Sequence, residues 1–427
     1  MVSEGTRTNI AKRAATLAVI VAALGYFVDI YDLILFGMVR RPSLIGLGVC
    51  DGMSEAACKT AVLDPGIYLF DMQMGGMLVG GILWGVLGDK RGRLSVLFGS
   101  ITLYSLANIA NGMVTTIDQY AICRLVAGIG LAGELGAGIT LVSELMGRES
   151  RGVGTTLVAG LGVSGGVVAG LIGGAFPGVP HPDWRVAYYI GGGLGLALLA
   201  LRIGVVESGM FHATKQKVEV ARGNVLALFA NPRRFGRYLA IIAVGIPVWF
   251  VIGIPFTFSD VIGGALGLSP APNPARALFF CYAAASLGGL ACGFISQRWR
   301  SRRRAIGAFL VADVVAMALF FAIGGASLNV FYALCALGGF ATGYWATFIS
   351  TAAELFGTNL RATVTTTVPN FVRGSAVLLT IAFKALAPSL GWIGAAIAMG
   401  AVSFAVGGIG LFSLKETFGV DLDFHET

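Results

Sequence analysis

The chain has 427 residues, of which 56% are hydrophobic and only 12% charged, and its mean hydropathy is +0.81. Soluble domains carry about a quarter charged residues, so this chain cannot clothe a water-facing surface and is not an ordinary soluble protein. The net charge of +8 does not point to nucleic acid, because most basic residues sit in short segments between apolar runs, where they set membrane orientation.

The first apolar run, 14–39, follows Arg7, Lys12 and Arg13. It is too long for a signal-peptide core and lacks a clear cleavage site, so it reads as a first span. Further spans are predicted at 65–88, 94–113, 118–146, 152–175, 185–205, 238–265, 275–297, 304–326, 328–356, 361–388 and 390–413. Each is near or above the ~20 residues that a helix needs to cross a bilayer, and helices are expected because they satisfy their own backbone in lipid. The 63 glycines suit close helix packing. Gly162, Gly166, Gly170 and Gly174 recur every fourth residue of span five and put a glycine ribbon on one helix face. Pro247 and Pro255 in span seven permit bending.

Basic residues alternate in side. Lys90, Arg91 and Arg93, then Arg148 and Arg151, then the segment 206–237, then Arg298 to Arg304 fall on one face. The opposite loops are nearly bare, except for Arg40, Arg41 and Lys59 in the first outer loop. The balance predicts both termini in the cytoplasm and a multi-pass protein of the inner (cytoplasmic) membrane.

The polar, basic segment 206–237, with Gly223 and Pro232 as breakers, divides the chain into 1–205 and 238–427, six spans each. The halves look like repeats. Ser143-Glu144-Leu-Met-Gly147-Arg148-Glu-Ser-Arg151 aligns with Ala353-Glu354-Leu-Phe-Gly357-Thr-Asn-Leu-Arg361, and residues 85–93 correspond to 293–301. The expected fold is therefore an all-α membrane protein, with twelve transmembrane helices in two pseudo-symmetric six-helix bundles and a site between them.

Charges inside spans are costly and usually functional. Asp29 and Asp32 lie one turn apart on span one, and Arg124 and Asp71 lie inside spans four and two. Asp29, Asp32 and Arg124 are read either as an ion-paired, proton-responsive cluster or as a permanent bridge closing the outer gate. Arg373 sits near the middle of span eleven, one turn after Pro369, beside Thr365, Thr366, Thr367 and Asn370. A guanidinium at that depth needs an anion, either a substrate carboxylate or a protein acid, and Arg373, Arg124 and Asn370 are the polar candidates for substrate binding in the cavity. Lys384 is placed to snorkel, and Asp313 reads as structural. Tyr26, Tyr31, Trp249, Phe250, Tyr344 and Trp345 are aromatic candidates for a cavity wall, with plain packing as the alternative.

Cys50 and Cys58 share the first outer loop and are a candidate disulfide. Cys123, Cys281, Cys292 and Cys335 read as small apolar residues. His181, His212 and His425 all lie in loops or tails, and no cluster has metal-ligand spacing, so no metal or cofactor is expected. An intramembrane enzyme would need a His, Cys or paired-carboxylate site at depth; no in-span His and no nucleophile motif stands out. No phosphate-binding Gly-x-x-x-x-Gly-Lys-Ser/Thr loop occurs.

Gly85-Val-Leu-Gly-Asp89-Lys90-Arg91-Gly92-Arg93 and Arg124-Leu-Val-Ala-Gly128-Ile-Gly130-Leu-Ala-Gly133-Glu134 resemble the loop and fourth-span signatures of major facilitator superfamily transporters. The second form resembles the metabolite–proton symporter and sugar-porter branches. Val206-Glu207-Ser208 is similar to their Pro-Glu-Ser element without its Pro. Span five has Val167 where proton-coupled drug antiporters carry a Pro after Gly, which weighs against an exporter. The resemblance implies that the first and fourth spans of each half line a cavity. It further implies proton coupling or gating at Glu134, against a plain hydrogen bond to a facing helix, and an inner latch of Asp89, Arg93, Glu144, Arg151, Glu354 and Arg361, against topology control by the basic residues alone. Proton-coupled symport of a small organic anion is the expected function; transport of a zwitterion, sugar or amino acid, export, or a non-transporting receptor are the alternatives. The expected partners are a small-molecule substrate, protons and the lipid bilayer, with the chain acting as a monomer.

Overall fold

The computed structural model describes residues 4–91, 93–136, 138, 151–176, 178, 180–207, 228 and 231–420. They form α1 (Glu4–Gly46), α2 (Glu55–Ala61), α3 (Leu63–Arg91), α4 (Arg93–Met113), α5 (Ile117–Leu131), α6 (Arg151–Val163), α7 (Gly165–Ile172) and α8 (Trp184–Glu207). There follow α9 (Pro232–Val251), α10 (Ser259–Ala265), α11 (Pro274–Trp299), α12 (Arg302–Ile323), α13 (Leu328–Ala341), α14 (Trp345–Glu354) and α15 (Thr358–Ser413). Among the described residues the protein is all-α, and 8 helical stretches are long and apolar enough to cross a membrane. The last of these, Thr363–Ser413, has 51 residues, and two helices meet within it at Gly391, whose φ of 68° is a left-handed conformation.

Helix starts follow from local chemistry. Thr116, Ser301 and Ser327 accept the backbone N–H three residues on, and Asn231 and Asn273 cap helices whose first residue is Pro232 or Pro274. Several predicted spans are interrupted. Span four stops being helical at Leu131 and turns through Ala132 and Gly133. Span five breaks at Ser164, and span ten tightens into a 3-10 turn at Thr342–Tyr344. Pro255 has no N–H to donate, and the surrounding residues Ile252–Phe256 widen into a π-turn.

The helices before residue 208 pack on one another chiefly through α3–α5, α4–α8, α4–α5 and α1 against α6, α7 and α8. Those after residue 231 pack through α9–α15, α11–α13 and α12–α13. The two groups meet along α3–α15 and along α6 and α7 against α11. Glycine makes these seams possible: Gly166 and Gly170 lie under Tyr282 and Phe279, while Gly162 lies under Tyr26 of α1. Within the first group, a Cβ on Gly128 would run into the backbone carbonyl of Gln73. Backbone cannot step aside as a side chain can. Gly128→Ala is therefore expected to lower stability by about 1–3 kcal/mol, read as a fall in Tm in detergent; an unchanged Tm would contradict this packing.

The predicted inner-latch residues are only partly described. Glu144, and the side chains of Asp89, Arg93 and Arg151, lie outside the described residues. Glu354 pairs with Arg302 at 3.1 Å, and Arg361 donates to the carbonyls of Ala353 and Phe356. These contacts stay within one group of helices. Most of the predicted linker, 206–237, also lies outside the described residues.

The segment after α15 returns to α12. The Glu416 carboxylate accepts the Ser301 hydroxyl and the backbone N–H groups of Arg302 and Arg303, filling the anion position at the start of α12. Partial burial pushes this carboxyl up. The Ser301 hydroxyl and the N–H groups of Phe418, Arg302 and Thr417 outweigh that push and hold its pKa below the usual carboxylate range. A depressed folded-state pKa means that the charged form stabilises the fold, and that this stabilisation is lost as pH falls through the depressed value. Glu416→Gln is expected to lower Tm at neutral pH, with the gap to wild type closing on acidification below that value. A gap independent of pH would contradict the assignment.

Candidate functional site

Between the two groups of helices lies a cavity lined by Tyr26, Ile30, Val163, Trp249, Tyr282, Trp345 and Arg373, among others. Its volume, about 30 Å³, holds one or two water molecules, so any larger ligand requires the halves to part. One wall is closed by the Trp345 Nε1–H donating to the Tyr26 hydroxyl at 2.9 Å. On the same wall an Arg373 Nη2–H donates to Asp29 Oδ2 at 3.4 Å. Arg373 is 1% exposed and Asp29 fully buried. The guanidinium also lies 5.9 Å from the Trp345 ring centroid, a cation–π distance. The Arg373 Nε and Asp29 Oδ1 have no hydrogen-bond partner. This is a long, incompletely satisfied ion pair in low dielectric, with a guanidinium still able to donate.

The sequence expected Arg124 to pair with Asp29 and Asp32, and the structure differs. The Arg124 Nη2–H donates to the Gln73 side chain, and its guanidinium lies over Phe36 and Tyr188, 5.1 and 5.7 Å from their centroids. Asp29 and Asp32 are neighbours one turn apart on α1, but their carboxylates reach different partners. Asp29 turns to Arg373, and Asp32 to Gly191 of α8, within electrostatic reach of Arg124. Glu134 forms a buried, two-pronged pair with Arg202 of α8, one contact being Arg202 Nη1–H to Oε2 at 3.0 Å.

Four other expected cavity residues take different roles. Tyr31 donates its hydroxyl to the Ala187 carbonyl and Tyr344 to that of Val244, so both serve packing within their own half. Asn370 donates to the Ala132 carbonyl, satisfying the backbone where span four turns. Phe250 packs on Phe404 and under Gly400. Tyr26, Trp249, Trp345 and Arg373 do line the cavity, joined by Tyr282, which the sequence did not single out. Asp313 is fully buried in α12, and neither carboxylate oxygen has a partner.

The end of the molecule that carries Cys50 and Cys58 is closed. Arg40, predicted in a loop, continues α1 and pairs with Asp260 at 2.7 Å, stacking 4.8 Å from the Phe258 centroid. Lys384 pairs with Asp64 at 2.8 Å, the Thr380 hydroxyl donates to Asp71 at 2.6 Å, and Asn273 donates to the Gly174 carbonyl at 3.0 Å. All four contacts join one half to the other. Nearby, Cys50 and Cys58 have Cα atoms 5.0 Å apart, a separation that a disulfide spans. No His/Cys/Asp/Glu group that could hold a metal ion occurs among the described residues.

Comparison with known proteins agrees with a polytopic membrane protein. The Major Facilitator Superfamily profile matches residues 66–380, well over half of the chain. The chain is similar to the 3-(3-hydroxy-phenyl)propionate transporter of Escherichia coli K12, 26% identical over 81% of this chain and 84% of that protein. It is also similar to the niacin transporter NiaP of Acinetobacter baylyi ADP1, 26% identical over 67% of this chain and 70% of that protein. A low-affinity inorganic phosphate transporter of Petunia hybrida is 26% identical over 61% of this chain and 58% of that protein. The chain belongs to the Major Facilitator Superfamily, as a multi-pass membrane protein that transports a small molecule by secondary transport.

Proposed function

We propose that the chain is a proton-coupled symporter of a small organic anion, of the metabolite–proton symporter kind, and that the anion is an aromatic carboxylate. The observation that carries this is the single guanidinium of Arg373, set among Tyr26, Trp249, Tyr282 and Trp345 and held by Asp29. A carboxylate needs a bidentate cationic partner, and a flat ring needs apolar, aromatic walls. Two relatives named for hydroxyphenylpropionate and niacin favour the same class. Phosphate is less well suited, because Arg373 is the one cation among the described residues that line the cavity.

Asp29 and a substrate carboxylate compete for one guanidinium. Protonation of Asp29 weakens its hold on Arg373, so the anion binds best to the protonated protein and carries a proton with it. Release to the other side lets Arg373 recapture Asp29 as the proton leaves. Asp32 and Glu134 stand close enough to tune Asp29 electrostatically.

The scaffold proposed for this cycle has twelve spans in two bundles, 1–205 and 238–427, joined by 206–237, with both termini in the cytoplasm. The bundles rock about the site, the chain acts as a monomer, and a Cys50–Cys58 disulfide faces the outer compartment. Two helices meeting at Gly391 within Thr358–Ser413 support two crossings there: at ~1.5 Å per residue each is at least as long as the ~30 Å core. The contacts at the Cys50 end are those of a closed outer gate, and the predicted latch at the other end would close in turn. The test is uptake of benzoate into proteoliposomes with a pH-sensitive dye inside. Entry should acidify the lumen; entry with no lumenal pH change, under any imposed gradient, would remove proton coupling.

A further inference from the structure

A second cleft, of about 770 Å³, lies far from the central site, between α12 and the last part of α15. One end is basic, with Arg300, Arg303 and Arg304, and the remainder is apolar. Arg300 takes a left-handed conformation, φ 49°, at the end of α11, so the chain turns there and begins α12 two residues later. That turn sets three arginines around one mouth.

The arginines differ in how far they are engaged. Arg302, next to them, is committed to Glu354. Arg303 donates to the Phe412 carbonyl at 3.0 Å. Arg300 and Arg304 are exposed and form no ion pair among the described residues. The acid at the mouth, Glu416, is occupied by the start of α12 through the Ser301 hydroxyl and two backbone N–H groups. The helix N-terminus is thus already neutralised by a protein carboxylate, while the guanidinium groups keep their donors.

The apolar part lies at membrane depth. Val311 is seven residues beyond Arg304, about 10 Å along the helix, and is 64% exposed, as Phe412 is 78% exposed. Gly408 opens the cleft, since a Cβ there would meet nothing within 4 Å. A polar, cationic mouth above an apolar furrow on a membrane-spanning surface matches one ligand: a lipid with an anionic head and acyl tails.

We propose that this cleft binds an anionic phospholipid, its phosphodiester on Arg300 and Arg304 and one acyl chain in the furrow past Gly408, Val311 and Phe412. Guanidinium groups suit the phosphodiester because they present paired N–H donors to two oxygens.

The test is native mass spectrometry of the delipidated full-length protein, titrated with phosphatidylglycerol or with phosphatidylcholine of the same acyl chains. Wild type should retain phosphatidylglycerol preferentially. Arg300→Ala with Arg304→Ala should weaken it about thirty-fold and erase the preference, and Gly408→Leu should weaken both lipids by filling the furrow. Equal retention of the two lipids by wild type, or undiminished phosphatidylglycerol binding by the double variant, would overturn the proposal. So would displacement of the lipid by millimolar inorganic phosphate, since a free anion would then be the ligand. The arginines are exposed, and an unchanged Tm in detergent without added lipid identifies folded variants.

Discussion

Arg373→Ala is expected to abolish transport and to weaken binding of an aromatic carboxylate by at least about thirty-fold, since losing one partner of a buried charge pair costs about 2–5 kcal/mol. The effect is large because Arg373 is 1% exposed and is the one cation among the described residues that line the cavity. Arg373→Lys should keep the charge but lose the paired donors, and about tenfold in affinity. Asp29→Asn behaves oppositely. It removes the internal competitor at 3.4 Å, so affinity at neutral pH should rise while net proton-driven accumulation fails. Radioligand binding and uptake measured side by side separate these outcomes. Loss of affinity on Asp29→Asn would mean that Asp29 supports the substrate rather than competing with it.

The second large effect concerns Glu134 and Arg202. Both are buried, and Gly25 of α1 lies so close that a Cβ there would collide with Glu134 Oε1 and Arg202 Nη2. Removing one partner leaves an uncompensated charge in low dielectric, worth about 3–5 kcal/mol. Arg202→Ala should therefore sharply lower Tm and yield. Removing both, as Glu134→Leu with Arg202→Met, should recover much of that stability, because a buried pair and an apolar pair of similar volume are often close in free energy. The double variant also decides the role of Glu134. If it folds and still acidifies the lumen during uptake, the pair is structural and the proton is carried elsewhere. If it folds and transports without protons, Glu134 belongs to the coupling machinery.

Much of this architecture is legible in the sequence, for reasons of solvent. Lipid requires long apolar helices, and those runs are visible without any knowledge of contacts. The glycine ribbon of span five is equally plain, and each of its first three members lies under an aromatic ring. Arg373 stands out because an arginine amid threonines at mid-span has no cheap explanation. Its partner does not, because Asp29 is 344 residues away and no local pattern couples the two. Arg202 carries no signal in the sequence, and Arg40 reads as a loop residue, for a related reason. Both sit near the predicted ends of apolar runs, where an arginine is expected to reach water. In fact α8 continues to Glu207 and α1 to Gly46, and each arginine is itself buried and pairs with a carboxylate, Arg202 with buried Glu134 and Arg40 with half-buried Asp260. Tyr31 and Tyr344 are cavity candidates on residue type alone. A helix that is apolar on most faces does not reveal its rotation, so which aromatics face the seam depends on packing.

Competition between Asp29 and the substrate for Arg373 is tested most directly by benzoate binding to purified protein across pH 6 to 8, by calorimetry, in wild type and in Asp29→Asn. The expected result is wild-type affinity that falls as pH rises, approaching tenfold per unit once Asp29 is mainly ionised, with a nearly flat profile in the variant. Parallel profiles in the two proteins would contradict it.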